Sequence, residues 1–191
     1  MVTRNFDNVI NMYIVGWHSA TITEDNWLKG IPSLVKAYNG ICYSITGNSY
    51  LSNGFFGGTN DNAYNLNSGS PPILLVGSND AEERYNDYKL ELISSLSVSS
   101  YRGVTYSTEN GVHRCVLTKT FTNNTAEDVT VKEMGVYVNF TGRQSGSSSN
   151  YSVNVLVARE KLAAPVTISA NGGVATFTMN ITIPVVDNSA S

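Results

Sequence analysis

From Ile73 onward, apolar and polar residues alternate along the chain as they do in strands that bury one face. Turn signals such as Arg102-Gly103, Asn110-Gly111 and Asn171-Gly172-Gly173 separate these stretches. A helical turn is expected at Ala81–Tyr85, and Ala164-Pro165 is expected to end a strand. The predicted strands are Ile73–Gly77, Leu90–Val98, Tyr101–Ser107, His113–Asn123, Val129–Phe140, Tyr151–Arg159 and Ala175–Val185. Strands at this spacing predict an all-β protein, in the form of an antiparallel, jelly-roll-like β-sandwich.

The N-terminal part of the chain has a less regular pattern. Apolar residues recur at helical spacing over Asn5–Tyr13 and predict a helix that packs either on its own domain or on a neighbouring subunit. The stretch Thr21–Tyr38 begins with N-cap and acidic first-turn signals, but Gly30 and Pro32 interrupt it. We therefore expect a broken helix or two short turns there.

The residues that follow complete the predicted organisation. Asn39-Gly40 predicts a turn, Gly40–Tyr50 a strand, and Asn53–Pro72 a long, charge-poor loop that contains aromatic residues. We expect residues 1–72 to form a partly helical N-terminal extension that serves in assembly. Residues 73–191 are expected to form the antiparallel β-sandwich domain.

Two strand-like stretches, Val129–Asn139 and Leu156–Ile168, carry charged residues in their interior. Glu133 lies in the first and Arg159 in the second. A charge inside a strand is costly unless it is paired or points to water. We therefore predict a structural Glu133–Arg159 ion pair between neighbouring strands, with Gly135 leaving the space in which Arg159 crosses. Side chains on opposite faces would refute this hypothesis.

Composition and charge narrow the range of partners. Only 14% of the 191 residues are charged, against roughly 25% in an ordinary soluble domain. The net charge is -3 and no run of Lys or Arg occurs, which argues against nucleic acid as a partner. No apolar run reaches the length of a membrane span, and the N-terminal residues lack the pattern of a signal peptide. We expect synthesis in the cytoplasm and no membrane partner.

The sequence offers little catalytic chemistry. His18 and His113 are its two histidines and have no zinc-ligand spacing, while the carboxylates of Asp80–Asp87 are interpreted as a solvated acidic loop. No nucleophile elbow and no phosphate-binding loop occurs. We predict no catalytic, cofactor-binding or metal-binding residues and no enzyme activity. Cys42 and Cys115 are expected to be free thiols, with a disulfide left open.

Aromatic residues are the strongest binding signal. Aromatic side chains often anchor protein interfaces, but buried ones are more often structural. They also serve as platforms on which sugars stack, so a carbohydrate-binding role is left open. The candidate interface residues are Phe6, Tyr13, Trp17, Trp27, Phe55 and Phe56.

Three segments of the chain form one ordered set. They are ILLVGSNDAEERYNDYKLE at Ile73–Glu91, LTKTFTNNTAEDVTVKEMGVY at Leu117–Tyr137, and VLVAREKLAAPVTISANGGVATFTMNITI at Val155–Ile183. Together they resemble the structural proteins of tailed-bacteriophage virions. Their order matches the family, in which a segment ending in DY-LE precedes a TFTN…TVKE segment and a closing ARE-L--PVTI segment. Ser78-Asn79-Asp80 and Met179 depart from the pattern, which has a Gly/Thr-rich turn and commonly an aromatic there.

The resemblance implies a non-enzymatic structural subunit that is located in the virion. Such a subunit would be a neck, tail or baseplate accessory or a capsid decoration, present in several symmetric copies that bind one another and other virion proteins. The alternative is a carbohydrate- or receptor-binding module of a phage fibre or spike, with a host-surface glycan as its ligand. The first 72 residues have no counterpart in the resemblance.

Overall fold

The computed structural model describes residues 1–8, 21–31, 34–47, 73–109 and 112–184. Within these ranges the chain is mostly antiparallel β-structure, which confirms the all-β prediction. Residues 4–8 are helical, and a short helix spans Glu24–Leu28. The strands are β1 (Leu34–Lys36), β2 (Cys42–Gly47), β3 (Ile73–Gly77), β4 (Leu96–Glu109), β5 (Val112–Asn123), β6 (Val129–Arg143), β7 (Tyr151–Ile168) and β8 (Gly173–Pro184).

Strand β6 is the centre of the larger, five-stranded sheet. One of its edges pairs with β7, and its other edge pairs with β3 and, further along, with β2, which in turn pairs with β1. All of these pairings are antiparallel. A second, three-stranded sheet has the order β4-β5-β8. Because β6 has neighbours on both edges and packing on both faces, most of its length is buried.

The two sheets share one hydrophobic core. Buried side chains of the larger sheet, such as Val136 and Val155, belong to the same cluster as Leu117 of β5 and Phe177 of β8. A smaller cluster contains Ile73, Leu75, Leu90, Tyr137 and Leu156. Successive residues of a strand point to opposite faces, so Val136 and Tyr137 place β6 between the two clusters.

Residues 1–8 connect the two outer strands of the larger sheet, which is curled. The main-chain N–H of Thr3 donates to the carbonyl of Val157 in β7, at 3.0 Å. Asn8 Nδ2 donates to the carbonyl of Leu34 in β1, at 2.8 Å. The N-terminal segment therefore bridges β1 and β7 and covers their otherwise open edges.

Asn5 is the main link in this bridge. Its side chain is fully buried, and its Nδ2 donates to the carbonyls of Lys36 in β1 (2.9 Å) and Leu156 in β7 (3.2 Å). Its Oδ1 accepts the main-chain N–H of Lys36 (2.8 Å) and Nε1–H of Trp27 (2.9 Å). A buried amide is stable when its donors and acceptors are satisfied. Asn5 therefore fixes two strands and an indole relative to one another.

The stretch 21–38 folds partly as predicted. Thr23 caps the helix Glu24–Leu28 by accepting the N–H of Asn26, and acidic residues occupy the first turn, so the N-cap prediction is confirmed. The sequence does not predict β1, because three residues are too few to show alternation. Gly40 makes the predicted turn into β2 with a positive φ of 80°.

Two predictions between residues 81 and 107 are wrong. Leu90–Val98 and Tyr101–Ser107 are predicted as separate strands, but β4 runs without a break through most of this region. Arg102-Gly103, a predicted turn, instead coincides with a register shift against β5, as at a bulge. The helical turn predicted at Ala81–Tyr85 contains bend and turn geometry without a helix.

Strand β7 continues beyond the Ala164-Pro165 pair that is predicted to end it. Pairing with β6 is lost after Lys161 and resumes at Val166. Over this interval β7 has four residues where β6 has the single residue Lys132, so Pro165 lies in a bulge. Its missing N–H therefore removes no bond from the ladder, which is why the strand tolerates the proline.

The division into residues 1–72 and 73–191 stays a prediction. In the described part of the first region, β2 pairs with β6 and residues 1–8 pack on β7. Most of the predicted helix Asn5–Tyr13 and the whole Asn53–Pro72 loop lie outside the described residues.

Replacing Asn5 by Ala tests the bridge between β1 and β7. The change leaves Trp27 Nε1 and the main-chain N–H of Lys36 without their acceptor. A buried donor without a partner costs about 1–3 kcal/mol, so we expect the free energy of unfolding in urea to fall by about 3 kcal/mol. Asn26→Ala, which removes an exposed bond to the Thr21 carbonyl, is the matched control. Equal losses in the two variants would contradict the role of Asn5.

Candidate functional site

Arg159 lies at the centre of a buried ion-pair cluster. Its Nε donates to Glu133 Oε2 and its Nη1 to Asp87 Oδ2, both at 2.8 Å. Nη1 also donates to the carbonyl of Glu82 (3.1 Å), and Nη2 donates to the carbonyl of Ala81 (2.9 Å). We call Arg159, Glu133, Asp87 and these two carbonyl groups the Arg159 cluster. The rigid fork of the guanidinium suits this role because it reaches several oxygens at once.

The Arg159 cluster is ionic in spite of its burial. The side chain of Arg159 is 4% exposed and that of Glu133 is fully buried. Burial alone would lower the pKa of Arg159, but hydrogen bonds to Glu133 and Asp87 outweigh it and raise the pKa above its usual value. The guanidinium therefore stays charged. The predicted pair does meet in the fold, and Arg159 also binds Asp87, which the sequence analysis assigns to a solvated acidic loop.

A glycine of β3 makes room for the buried carboxylate of Glu133. Gly77 lies opposite Glu133 in the β3–β6 ladder, and a Cβ at Gly77 would collide with Glu133 Oε1. The same oxygen accepts the N–H of Glu91 at 2.7 Å. Gly135 lies opposite Arg159 in the β6–β7 ladder, and a Cβ at Gly135 would meet Leu156 at 2.8 Å. The role predicted for Gly135, to leave space in which Arg159 crosses, stays a prediction.

A bulge determines which way Glu133 points. Strict alternation predicts that Val131 and Glu133 share one face of β6. Val131 instead belongs to the main core, whereas Glu133 faces Gly77 and Arg159. The change of face coincides with the irregularity in the pairing with β7, where four residues of β7 lie opposite Lys132 alone and strict alternation is interrupted.

Residues 78–91 form an acidic loop that packs against the larger sheet. Glu83 Oε1 accepts the main-chain N–H of Lys161 in β7 at 2.8 Å, and this bond is the main reason that the pKa of Glu83 is lowered. At the surface, Lys161 Nζ contacts Glu82 Oε1 at 2.6 Å. The interpretation of this run as a solvated loop is therefore wrong for Glu83 and Asp87, which bind groups of the sheet.

Two of the candidate interface aromatics are interior residues. Phe6 is 5% exposed and belongs to the main core. Trp27 is 1% exposed, with its Nε1–H bonded to Asn5 and Lys36 Nζ 5.4 Å from its ring centre. Neither can serve as an exposed anchor, because the chain itself already covers them. The remaining candidates, Tyr13, Trp17, Phe55 and Phe56, lie outside the described residues.

Lys119 is a buried cation that the sequence analysis misses. It is 2% exposed, on the same face of β5 as Leu117 and Phe121. Burial lowers the pKa of Lys119 to about 8, and its Nζ lies 5.5 Å from the centre of the Phe121 ring. The alternation of Leu117, Lys119 and Phe121 is the available signal. A lysine in such a pattern is easily dismissed, since lysines are rarely buried.

A cavity of about 610 Å³ is lined by both apolar and polar residues. Its apolar lining includes Leu75 of β3, Phe121 of β5 and Val153 of β7. Its polar lining includes Tyr38, Asn39, Tyr43, Ser94, Ser97, Ser152 and Asn154. None of the described lining residues carries a charge. The volume lies in the range of small-molecule sites, and the uncharged lining suits a neutral ligand.

Tyr43, one of the lining residues, has a hydroxyl group that is held by two amide side chains. Its Oη accepts hydrogen bonds from Asn39 Nδ2 (3.0 Å) and Gln144 Nε2 (2.9 Å). Both contacts use the oxygen as acceptor, so the hydroxyl hydrogen is left to be donated to a third group. Tyr38 is 40% exposed, and its ring meets Tyr137 edge to face at 6.2 Å. One fixed donor and one supported aromatic ring therefore lie in the same lining.

Cys42 and Cys115 are free thiols, so the disulfide left open by the sequence is not formed. Burial raises the pKa of both, that of Cys115 to about 12. Among the described residues, no group of three or more His, Cys, Asp or Glu side chains could hold a metal ion. The same part of the chain contains no helix whose length and apolar character would let it span a bilayer.

Neither the known protein families, nor the curated proteins, nor the solved structures contain a match to this chain.

Replacing Glu133 by Gln tests whether the Arg159 cluster is a structural element. The variant keeps the size of the side chain but removes one of the two carboxylates bound to Arg159, the fully buried one, and leaves Asp87 as the other. Breaking a buried ion pair typically costs about 3–5 kcal/mol. We expect a loss of that size in the free energy of unfolding, measured in urea with an unchanged denaturant slope.

The control for this variant is Asp80→Asn. Asp80 pairs with Lys132 at 3.3 Å, and its side chain is 69% exposed. Exposed pairs contribute about 0–1 kcal/mol. The free energy of unfolding of this variant is therefore expected to be close to that of the wild type. A Glu133→Gln variant as stable as Asp80→Asn would show that the cluster does not hold the fold together.

Proposed function

We propose that this protein is a non-enzymatic structural subunit of a tailed-bacteriophage virion. Its place would be in the neck, tail or baseplate, or on the capsid surface as a decoration. In this proposal the two sheets form an antiparallel, jelly-roll-like β-sandwich that carries the contacts with neighbouring subunits. The shared core of the two sheets supports this finer description of the fold.

One observation carries the proposal: the three segments that resemble the virion family meet at the Arg159 cluster. Asp87 belongs to the first segment, Glu133 to the second and Arg159 to the third. Arg159 binds both carboxylates at 2.8 Å. When charged residues that are far apart in a sequence form one buried network, that network explains why each of them is present. The resemblance therefore concerns one folding unit, which supports it over a chance match of three short motifs.

Composition supports an assembly role. Charged residues make up 14% of the chain, and interface cores are depleted in charge. A subunit that buries its surface against copies of itself and other virion proteins needs few charges for solubility once it is assembled. The proposal includes a homo-oligomer and excludes nucleic acid and membrane as partners.

The proposed location is testable with purified particles. Antibodies raised against the purified chain are used to probe phage particles from the source that encodes it, after separation in a density gradient. We expect the chain to sediment with intact particles at a constant ratio to the major capsid protein. An antigen that stays in the soluble lysate fractions while particles sediment would contradict the proposal.

The cavity favours a second candidate function, the binding of a neutral carbohydrate on the host surface. Saccharide sites combine an aromatic platform with amide and hydroxyl groups, and Tyr38, Asn39 and Tyr43 supply these groups here. The uncharged lining favours neutral sugars over acidic ones. In this alternative the protein is the receptor-binding module of a fibre or spike.

Binding to an array of neutral glycans tests this alternative. We expect any glycan that binds the wild type to bind at least about fivefold more weakly to Tyr38→Ala, because a central aromatic contact is worth more than about 1 kcal/mol. Tyr85→Ala is the matched control, since Tyr85 is 37% exposed and is not among the residues that line the cavity. Absence of any retained glycan, or equal loss in both variants, would contradict a sugar site in this cavity.

A further inference from the structure

Strand β8 has the features of an edge that pairs with another strand. Among the described residues it lies at the end of the three-stranded sheet, and the twelve residues Gly173–Pro184 pair with β5 without a register shift. Its sequence, GVATFTMNITIP, contains no charged residue. Long, regular and uncharged edges invite pairing, because they present a row of main-chain donors and acceptors.

In the described part of the molecule, the edge strands of the larger sheet are contacted by other segments of the chain. Main-chain atoms of Thr3 and Tyr38 donate to Val157 and Asn154 of β7. The outer edge of β3 is covered by the chain near Leu92, which forms a bridge to Gly77. The edge of β1 receives hydrogen bonds from the N-terminal asparagines described above.

Strand β4, at the opposite end of the small sheet from β8, carries two register shifts and contains Arg102 and Glu109. Bulges and charges are the usual devices that prevent an edge from pairing. Strand β8 has neither of them. Because β4 has features that prevent edge pairing and β8 lacks them, we infer that the edge of β8 pairs with another strand.

We propose that the β8 edge pairs antiparallel with the β8 edge of a second copy of this chain, which makes a twofold dimer with one continuous six-stranded sheet. The inference names one contact of the homo-oligomer proposed above and rests on that proposal. A strand of twelve residues is roughly 40 Å long. Main-chain hydrogen bonds alone could therefore join the two copies along the full length of β8.

The buried and exposed faces of β8 match those of a second β8 strand when the two pair antiparallel. Phe177, Met179 and Ile181 are buried, and the residues between them, Thr178 and Asn180, are exposed. If pairing is centred on a residue of the strand, buried residues meet buried residues and exposed residues meet exposed ones. A register centred on Met179, for example, would place Thr178 opposite Asn180 of the second copy. No charge would be brought into the contact.

Side chains on the exposed face of β8 form hydrogen bonds between neighbouring strands, and the same kind of bond could form across the contact between two copies. Thr118 and Thr178 hydroxyls lie 3.0 Å apart, and those of Thr120 and Thr176 lie 2.8 Å apart. Cross-strand hydroxyl pairs of this kind stabilise antiparallel sheets. The uncharged hydroxyl and amide side chains of β8 can form similar pairs with those of a second β8. A neutral copy fits this edge better than a charged peptide, which would find no counter-charge in β8.

The test is the mass of the full chain in solution by light scattering, for the wild type and for two matched lysine variants. Thr178→Lys places a charge on the edge strand, where lysine is a natural block to pairing. Thr118→Lys places the same charge on the same face, one strand further in. We expect a dimeric wild type, a halved mass for Thr178→Lys, and an unchanged mass for Thr118→Lys.

An equimolar mixture of Thr178→Lys and Thr178→Glu is expected to restore the dimeric mass, which a misfolded variant would not do. If Thr178→Lys fails to fold, as judged by circular dichroism, the exposed Asn180→Lys takes its place. A wild-type oligomer that keeps its mass in the folded β8 variants would overturn the β8 contact and leave the homo-oligomer proposal standing. A monomeric wild type would overturn both.

Discussion

The ion pair between Arg159 and Glu133 is the constraint on which the larger sheet depends. A buried carboxylate and a buried guanidinium are each costly to remove from water, so every group around them has to be placed to satisfy them. Gly77 has no side chain because Glu133 occupies that space. The acidic loop between β3 and β4 follows a path that brings Asp87 and two carbonyl groups to Arg159. One charge pair therefore fixes two strands and a loop that has no regular secondary structure.

Buried amide side chains fix other segments of the chain in the same way, through fully satisfied hydrogen bonds. Asn5 joins β1, β7 and Trp27, and Asn123 joins two turns by donating to the carbonyls of Glu127 and Ile168. A chain with few charges still needs directional contacts to specify one arrangement of a curled sheet. Satisfied asparagine side chains supply them at a lower desolvation cost than ions do. The fold is thus organised by a few buried polar groups within an ordinary apolar core.

The sequence predicts the local features that leave a strong periodic or chemical signal. The strand pattern, the turn at Asn39-Gly40 and the helix cap at Thr23 follow from alternation and from turn and cap residues. The partnership of Glu133 with Arg159 could be predicted because charges inside an apolar strand need an explanation. The position of Asp87 could not, because a carboxylate in a polar loop gives no sign that it returns to a buried cation.

Bulges account for most of the differences between expectation and fold. One irregularity in the β6–β7 pairing has both effects: the side-chain direction of β6 changes between Val131 and Glu133, and the extra residues on the β7 side let that strand continue past Pro165. A bulge leaves little trace in a hydrophobic pattern, because it changes the register by a single residue or a few. Trp27 illustrates another limit, since a tryptophan in an irregular region suits an interface anchor and a buried core residue equally well. Its burial follows from contacts with Asn5 and Lys36 that are distant in sequence.

The most direct test of the central role of Arg159 is hydrogen exchange at its own side chain. The Nε–H of Arg159 is bonded to a fully buried carboxylate, whereas the Nε–H of Arg143 is bonded to Asn150 at the surface. In nitrogen-detected NMR at neutral pH, the Arg159 Nε–H is expected to exchange at least about a hundredfold more slowly than that of Arg143, since its exchange requires the cluster to open. Equal exchange rates for the two guanidinium groups would contradict the account, because they would mean that the cluster is open to water in the folded protein.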